Sequence, residues 1–244
     1  MEKLIETLKS FREEEIEKLE EFDRQFLALK KLYFLVKNKE TFLKLIVTNA
    51  LMSYQLQMKG EDYWEKFSEF FSKNPEIQKF EEFIRKYNRR FLNAKLKRLK
   101  KVISCVENLF SLYSVEDLGN DLTLLVKELS KCLSQKQDAK TIVFSAKMFM
   151  YGYRIAFGKN PKNLEKISIP LDSRLSKISK DKTFWKELSE ETKIPPIRLD
   201  AIFWIPMGMK KEEIEKLPKR LKEKIEGIRK IISKAVRIAA NPNK

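Results

Sequence analysis

The sequence predicts an all-α protein, and three of its features support that prediction. Apolar residues recur three or four positions apart, as at Leu4, Leu8 and Phe11, which is the spacing of one helix face. Runs in which apolar and polar residues alternate, the pattern of half-buried strands, are missing over useful lengths. With six glycines and eight prolines in 244 residues, long disordered tracts are not expected.

The helical pattern divides into roughly ten segments. Gly60 precedes a new helix, and Asn74-Pro75 ends one segment and starts the next. Residues 158–180 have little helical pattern and contain two prolines, so we expect the longest irregular region there, and such loops are often functional. The predicted helices span about 2–20, 22–37, 39–58, 60–72, 76–112, 115–133, 139–157, 182–192, 197–204 and 218–238.

Length and composition limit the class of protein. The chain fits one domain over residues 1–244, or two intimate subdomains, and its 43% hydrophobic content is enough to bury a core. No run of about 18 apolar residues is present, so no membrane span is expected. The N-terminal segment MEKLIETLKSFREEEIEKLEEF lacks the apolar core of a signal peptide, which favours a cytoplasmic location. Abundant Lys and Glu favour a thermophilic source.

The charge balance favours a polyanionic partner. Lysine and arginine number 51 against 35 acidic residues, a net charge of +16, which suits nucleic acid or an anionic membrane surface. A basic run at 95–101 follows Arg89 and Arg90 in the predicted helix 76–112. This run is either a solvated helix face or a face that follows phosphates, and the sequence favours neither.

The absence of histidine restricts the possible chemistry. His-based triads, zinc deaminase sites and two-His metal sites are excluded. Two cysteines, Cys105 and Cys132, are too few for an iron–sulfur cluster, and their apolar helical contexts predict small buried hydrophobic residues. We therefore expect chemistry based on carboxylates, amines or hydroxyls, without a metal.

Residues 121–157 have the layout of two helices joined by a short hairpin. A first apolar helix ends near Leu133, residues 134–138 form a polar connector, and a second helix begins near Ala139. One face of the second helix has a stripe of lysines and aromatics within an arc of about 60°. Its members are Lys140, Phe144, Lys147 and Tyr151.

Lys140 and Asp172 are the candidate reactive groups. Lys140 lies in the first turn of its helix, where the helix dipole disfavours a protonated amine, and partial burial would disfavour it further. Such a lysine can be a neutral nucleophile, although a solvated lysine beside aromatics is the commoner case. Asp172 follows Ile169-Pro170-Leu171 and can be a carboxylate partner or simply a helix N-cap.

Together these segments resemble the helix–hairpin–helix DNA glycosylase superfamily and, within it, the archaeal 8-oxoguanine DNA glycosylase family, AGOG. That resemblance implies two helical subdomains with the active site in the cleft between them, and a helix–hairpin–helix region at about 119–183. A weaker similarity to the family lies near residues 23–29. The segments that carry the main resemblance are SYQLQMKGEDYWEKF at 53–67, LTLLVKELSKCLSQKQDAKTIVFSAKMFMYGYRI at 122–155, IPLDSRL at 169–175 and FWKELSEETKIPPIRLDAIFW at 184–204.

Two departures from the wider superfamily are evident. The hairpin at 134–138 contains no glycine, so a phosphate contact there would depend on Lys136. Lys140 and Asp172 are 32 residues apart, an unusually long interval that resembles the archaeal family.

The resemblance implies a bifunctional repair enzyme that excises 8-oxoguanine. The damaged nucleotide would be flipped into a pocket, Lys140 would attack C1′ and form a Schiff base, and β-elimination would break the strand. Asp172 would stabilise the positive charge on the sugar. No cofactor is implied, and the enzyme would be a monomer without an obligate protein partner.

The family match also implies a base pocket in which Phe144 and Trp204 stack on the purine. Arg174, with Lys136, would contact the DNA backbone. For the tryptophans a core position is the alternative, and for Gln25 a surface position. The implied pocket residues are Gln25, Ser53, Trp64, Phe144, Lys147, Pro170, Asp172, Asp200 and Trp204.

Three other functions stay open at this point. The first is a glycosylase of the same superfamily that acts on another damaged base. The second is a helical nucleic-acid-binding protein without enzymatic activity. The third is a basic protein that docks on an acidic partner or a membrane. Simple binding does not require the Lys140 and Asp172 pair, which favours an enzyme.

Overall fold

Residues 2–240 are described by the structure, a computed structural model, and the side chains of residues 234–240 lie outside that description. Over these residues there are fourteen α-helices and no strand, which confirms the predicted all-α class. None of the described helices is long and apolar enough to cross a membrane. The chain divides into a central unit, Arg24–Pro170, and a terminal unit, Met1–Asp23 with Leu171–Lys244.

Helices α3 to α10 belong to the central unit, and the others to the terminal unit. In chain order the helices are α1 (Glu2–Lys9), α2 (Glu13–Glu20), α3 (Arg24–Val36), α4 (Lys39–Met52), α5 (Gly60–Phe71), α6 (Phe80–Tyr87), α7 (Leu92–Leu112), α8 (Val115–Asn120), α9 (Leu122–Leu133), α10 (Lys140–Phe157), α11 (Lys182–Thr192), α12 (Pro196–Gly208), α13 (Lys211–Ile214) and α14 (Lys219–Ala240).

The core of the central unit is organised around α10. This helix packs most extensively against α4 and also contacts α3 and α9. The two helices approach closely at Gly152, where a Cβ atom would lie 2.5 Å from Ile46 Cδ1 and 2.9 Å from Leu43 Cδ2. A larger residue at this position would require the side chains of Ile46 and Leu43 to shift, so glycine suits the close packing of α10 on α4.

The terminal unit is held together by packing and by a buried ion pair. Helix α12 packs against α2 and α14. The guanidinium of Arg198 on α12 donates to Glu20 Oε2 at 3.2 Å and to Glu13 Oε1 at 3.1 Å. Burial lowers the pKa of Arg198, but the carboxylates of Glu20 and Glu13 outweigh that effect and raise it above its ordinary value. This pair anchors α12 to α2.

The predicted helix 76–112 is wrong as a single element, because the chain turns at residues 88–91 between α6 and α7. The backbone of Phe91 lies in the left-handed region, with φ at 57°, which a bulky residue rarely adopts. The side chain of Asn88 donates to the carbonyl oxygen of Met52 at 3.0 Å and so ties this turn to the end of α4. No glycine or proline marks the turn in the sequence.

Other predicted helices also end earlier than the apolar spacing indicates. The segment 2–20 is divided into α1 and α2, and the segment 115–133 into α8 and α9. The carboxylate of Asp121 accepts the backbone N–H of Thr123 at 3.0 Å and caps α9, so the helical hydrogen bonding restarts there. Helix α4 ends at Met52 rather than near residue 58.

The prediction that both cysteines are simply small buried hydrophobic residues is wrong. Cys105 on α7 and Cys132 on α9 form a disulfide with a Cα–Cα distance of 5.8 Å. Cysteines of intracellular proteins usually remain reduced, and intracellular proteins of hyperthermophiles are an exception to that tendency. The bond joins two helices that also pack against each other.

We expect removal of this disulfide to lower the thermal stability of the central unit. The two cysteines are 27 residues apart, so the lost constraint on the unfolded chain costs about 3–4 kcal/mol. For a chain of this size that corresponds to a decrease of roughly 10 °C in Tm. The measurement is thermal unfolding of the intact protein and of the Cys105→Ser/Cys132→Ser variant, each with and without reductant. A reductant effect that persists in the variant would contradict this account.

Candidate active site

The hairpin that precedes Lys140 closes without glycine. Helix α9 ends at Ser134, whose backbone adopts the left-handed conformation with φ at 54°. The N–H of Gln135 donates to Ser130 O at 2.9 Å, and the N–H of Ala139 donates to Lys136 O at 3.0 Å. The first bond satisfies a carbonyl at the end of α9, as glycine-containing caps do elsewhere, and the second closes the connector before α10. The two helices and their connector have the predicted layout.

Lys140 is the first residue of α10, as the sequence predicts. Its side chain is exposed, so the partial burial considered from the sequence is not found. Exposure leaves the amine accessible to a substrate, which a nucleophile requires because it has to meet its target atom at close range. Lys136, the predicted phosphate contact, is also exposed, in the connector between the two helices.

The stripe that begins at Lys140 passes from the surface into the core of the central unit. Phe144 is partly buried, and its ring centre lies 6.1 Å from that of Trp64 in an edge-to-face arrangement. Lys147 is only 2% exposed, and its Nζ atom lies 5.4 Å from the ring centre of Tyr151. A buried ammonium over an aromatic face is favourable, so the alternation of lysines and aromatics has a packing basis.

Two further predicted pocket residues lie at helix ends in the central unit. Gln25, in the first turn of α3, is buried, which contradicts a surface position for this residue. Its Nε2 atom lies 3.5 Å from the place that a Cβ of Gly60 would occupy. Gly60 begins α5, the helix that carries Trp64 one turn later. Ser53 directly follows the last residue of α4 and donates through Oγ to Asn49 O at 2.7 Å.

The carboxylate of Asp172 uses its two oxygens for different purposes. Oδ1 accepts the backbone N–H groups of Arg174 and Leu175 at 2.8 and 2.9 Å, which caps the turn that follows. Oδ2 accepts the indole N–H of Trp204 at 2.9 Å. The capping role and a functional role are therefore not alternatives, because one oxygen supplies the cap and the other is held by Trp204.

Trp204 and Asp200 lie one turn apart on α12. Asp200 is 2% exposed, and Trp204 is partly buried. The guanidinium of Arg174, a predicted DNA contact, lies 4.2 Å from the ring centre of Trp204. An arginine in that position holds the indole ring by a cation–π contact. The terminal unit thus places Asp172, Arg174 and Trp204 in one connected group.

The predicted site residues fall into both units of the chain. Asp172, Arg174, Asp200 and Trp204 belong to the terminal unit. The central unit contains the predicted nucleophile and the remaining predicted pocket and phosphate contacts: Gln25, Ser53, Trp64, Lys136, Lys140, Phe144, Lys147 and Pro170. Pro170 is buried and is the last residue of the central unit.

Sequence reasoning missed a buried polar cluster next to Ser53. Lys95 belongs to the basic run at 95–101, yet its side chain is fully buried. Its amine donates to the Asn88 side chain and, at 3.3 Å, to the carbonyl oxygen of Gln55. The signal was present in the sequence, because Lys95 shares helical spacing with the buried residues Leu99 and Val102.

Comparisons with known proteins identify similar sequences. The sequence model of the AGOG family, described as N-glycosylase/DNA lyase, matches residues 5–237. A protein named N-glycosylase/DNA lyase from Thermococcus kodakarensis is 37% identical, with 89% of this chain and 88% of that protein covered. Another protein of the same name from Nanoarchaeum equitans is 41% identical, with 82% of this chain and 88% of that protein covered.

A solved structure is also similar over nearly the whole chain. It is the crystal structure of the AGOG protein of Pyrobaculum aerophilum, an 8-oxoguanine DNA glycosylase, in complex with 8-oxoguanosine. The TM-score is 0.75 at 27% sequence identity, and the match covers 93% of this chain and 95% of that one. This similarity confirms the fold that the sequence predicts.

Proposed function

This chain belongs to the AGOG family of N-glycosylase/DNA lyases, and on that premise we propose that it removes 8-oxoguanine from DNA and cleaves the strand at the abasic site. DNA is the substrate of this class of enzyme. The observation that carries the proposal is the exposed Lys140 at the start of α10, directly after the hairpin. Since the chain has no histidine, an amine and a carboxylate are the groups available for this chemistry.

The reaction begins with a flipped nucleotide, because the sugar C1′ of a stacked base is inaccessible. The nitrogen lone pair of Lys140 attacks C1′, the glycosidic bond breaks, and the base leaves with the bonding electron pair and gains a proton. Opening of the sugar ring converts the adduct into a Schiff base between Nζ and C1′. Loss of a C2′ proton then breaks the C3′–O bond, and the 3′ phosphate departs.

Asp172 stabilises the positive charge that develops on the sugar and assists proton transfer. Its hydrogen bonds to Trp204 and to two backbone N–H groups fix the carboxylate, which lowers the cost of orienting it in the transition state. Arg174 and Lys136 contact the DNA backbone through their positive charges.

The base pocket of this proposal combines stacking with polar contacts. Phe144 and Trp204 stack on the purine, and Trp64 supports Phe144 through its edge-to-face contact. The buried lysine and amide side chains supply hydrogen-bond donors and acceptors for the edge of the base. The polar and shape-defining contacts are Gln25, Ser53, Lys147, Pro170, Asp172 and Asp200.

We further propose that residues 1–244 act as one glycosylase domain with a helix–hairpin–helix region at about 119–183. The enzyme works as a monomer in the cytoplasm, where it has access to the chromosome, and needs no cofactor. A chain of 29.0 kDa that already contains the nucleophile and the carboxylate needs no second copy for the chemistry. Light scattering of the purified protein tests this, and a mass of twice that value would contradict it.

The test of the proposed substrate uses a panel of lesions. Matched duplexes contain 8-oxoguanine, guanine, uracil, an alkylated purine or an oxidised pyrimidine at one position, and each is incubated with enzyme and borohydride. We expect a covalent adduct and strand cleavage with 8-oxoguanine, at least about 100-fold faster than with guanine, because a pocket built for hydrogen bonds rejects the base that lacks them. Faster excision of another lesion would favour the other glycosylase class. If no lesion were excised, the enzyme proposal would fail and a DNA-binding protein without enzymatic activity would be favoured.

A further inference from the structure

The buried polar cluster beside Ser53 contains a lysine in an unusual environment. Lys95, on the first turn of α7, donates to the side chain of Asn88 and to the carbonyl oxygen of Gln55, and its Nζ atom lies 5.1 Å from the ring centre of Tyr54. All of these partners are neutral. Among the residues that the structure describes, no carboxylate pairs with Lys95.

A buried ammonium without a counter-charge is unfavourable for folding. Burial lowers the pKa of Lys95 to about 8, and the positive charge of Arg90 contributes further. Its neighbours on the same face of α7, Leu99 and Val102, are apolar, and an apolar side chain would fit there at lower cost. A residue that disfavours folding at its own position is a candidate for a role in function.

The contacts of Lys95 and Asn88 converge on one short turn, residues 52–55, which follows α4. Asn88 holds the carbonyl oxygen of Met52 at 3.0 Å, and Lys95 holds that of Gln55. The backbone of Gln55 has a φ of 48°, a conformation that persists only where the surroundings enforce it. Between these two fixed carbonyls lies Ser53, one of the proposed base contacts.

The same cluster extends to α5, the helix that carries Trp64, a second proposed pocket residue. Tyr63 on α5 is fully buried, and its hydroxyl lies near the side chains of Asn88 and Ser53 but makes no hydrogen bond with good geometry to the described residues. Burial raises the pKa of Tyr63, so the hydroxyl stays protonated. The next residue along α5 is Trp64, whose ring meets that of Phe144. The buried cluster therefore joins the turn at 52–55 to the helix that carries Trp64.

We propose that Lys95 and Asn88 are positioning residues for base recognition, which hold the turn at 52–55 so that Ser53 meets the flipped base. This inference rests on the proposed function. Neither residue is assigned a part in bond breaking, because the polar contacts of both are with the protein itself. The proposal separates two activities of one enzyme: excision of a base requires the pocket, whereas β-elimination at a preformed abasic site does not.

The test compares these two activities in Lys95→Met, which keeps the length of the side chain and removes its donors. We expect single-turnover excision of 8-oxoguanine to fall about 10- to 100-fold, the usual effect of losing a hydrogen bond to a charged group. Cleavage and borohydride trapping on an abasic duplex should stay within about twofold, and Tm within a few degrees. Lys73→Met, at an exposed lysine of the central unit, is the matched control and should change neither activity.

A second variant keeps the proposal testable if Lys95→Met does not fold. Asn88→Asp retains an acceptor for Lys95 but cannot donate to Met52 O, and we expect the same selective loss of excision. Equal losses on both substrates would show a merely structural role and overturn the inference, as would unchanged excision in both variants. If the intact enzyme cleaves abasic DNA but does not excise 8-oxoguanine, the proposed substrate fails instead.

Discussion

Replacement of Lys140 with glutamine should abolish strand cleavage and borohydride trapping, with a loss of at least about 1,000-fold in rate. An amide nitrogen is not a nucleophile, so neither the attack on C1′ nor the Schiff base can form. Lys140 is exposed at the first residue of its helix, and therefore the free energy of unfolding should change by no more than about 0.5 kcal/mol. Denaturing gels of trapped 8-oxoguanine duplex, with thermal unfolding alongside, measure both effects.

The matched control for this variant is Lys131→Gln, at an exposed lysine in the last turn of α9 on the other side of the hairpin. It should trap as the intact enzyme does. Fluorescence anisotropy should show that Lys140→Gln still binds lesion DNA within about threefold, because only one positive charge is lost. If Lys140→Gln were trapped normally, another amine would be the nucleophile, and the assignment of Lys140 would be wrong.

Replacement of Asp172 with asparagine should slow base excision by about 100-fold or more, because the developing positive charge on the sugar loses its anionic partner. The fold should be preserved. An asparagine oxygen can still accept the N–H groups of Arg174 and Leu175, since asparagine is as good an N-cap as aspartate. Single-turnover excision of 8-oxoguanine and Tm are the two quantities to measure.

Trp204→Phe separates the charge of Asp172 from its orientation. Phenylalanine keeps an aromatic ring for stacking but removes the indole N–H that donates to Asp172 Oδ2. We expect a smaller loss of excision than in Asp172→Asn, near the tenfold effect of one hydrogen bond.

Full activity of Asp172→Asn would contradict the proposed role of this carboxylate. Asp172 would then serve only as the cap of the turn that follows it.

The helix–hairpin–helix region could be predicted because its signals are local. An apolar helix, a short polar connector and a second apolar helix are adjacent in sequence, and they place Lys140 at the start of α10. The break at 88–91 could not be predicted, since no glycine or proline marks it and the hydrogen bond of Asn88 that ties it to α4 joins segments distant in sequence. Propensity is a weak guide wherever tertiary contacts decide the backbone.

The disulfide and the buried Lys95 were missed for a related reason. Whether Cys105 and Cys132 pair depends on how α7 and α9 lie in space, which spacing alone does not specify. Lys95 belongs to a basic run, and its burial depends on acceptors supplied by Asn88 and Gln55 from other segments. The pocket residues came from the family resemblance, because no periodicity distinguishes a base contact from a core tryptophan.

Gly152 makes α10 sensitive to change at a point remote from the reaction. Twelve residues of helix, about 18 Å, separate it from Lys140. An alanine there would place a methyl group 2.5 Å from Ile46 Cδ1 and 2.9 Å from Leu43 Cδ2, so these side chains or α10 itself would have to shift. A displacement of about 1 Å can cost 100-fold in rate. A shift of α10 in such a variant would therefore lower the rate of excision although Lys140 and Asp172 were unchanged.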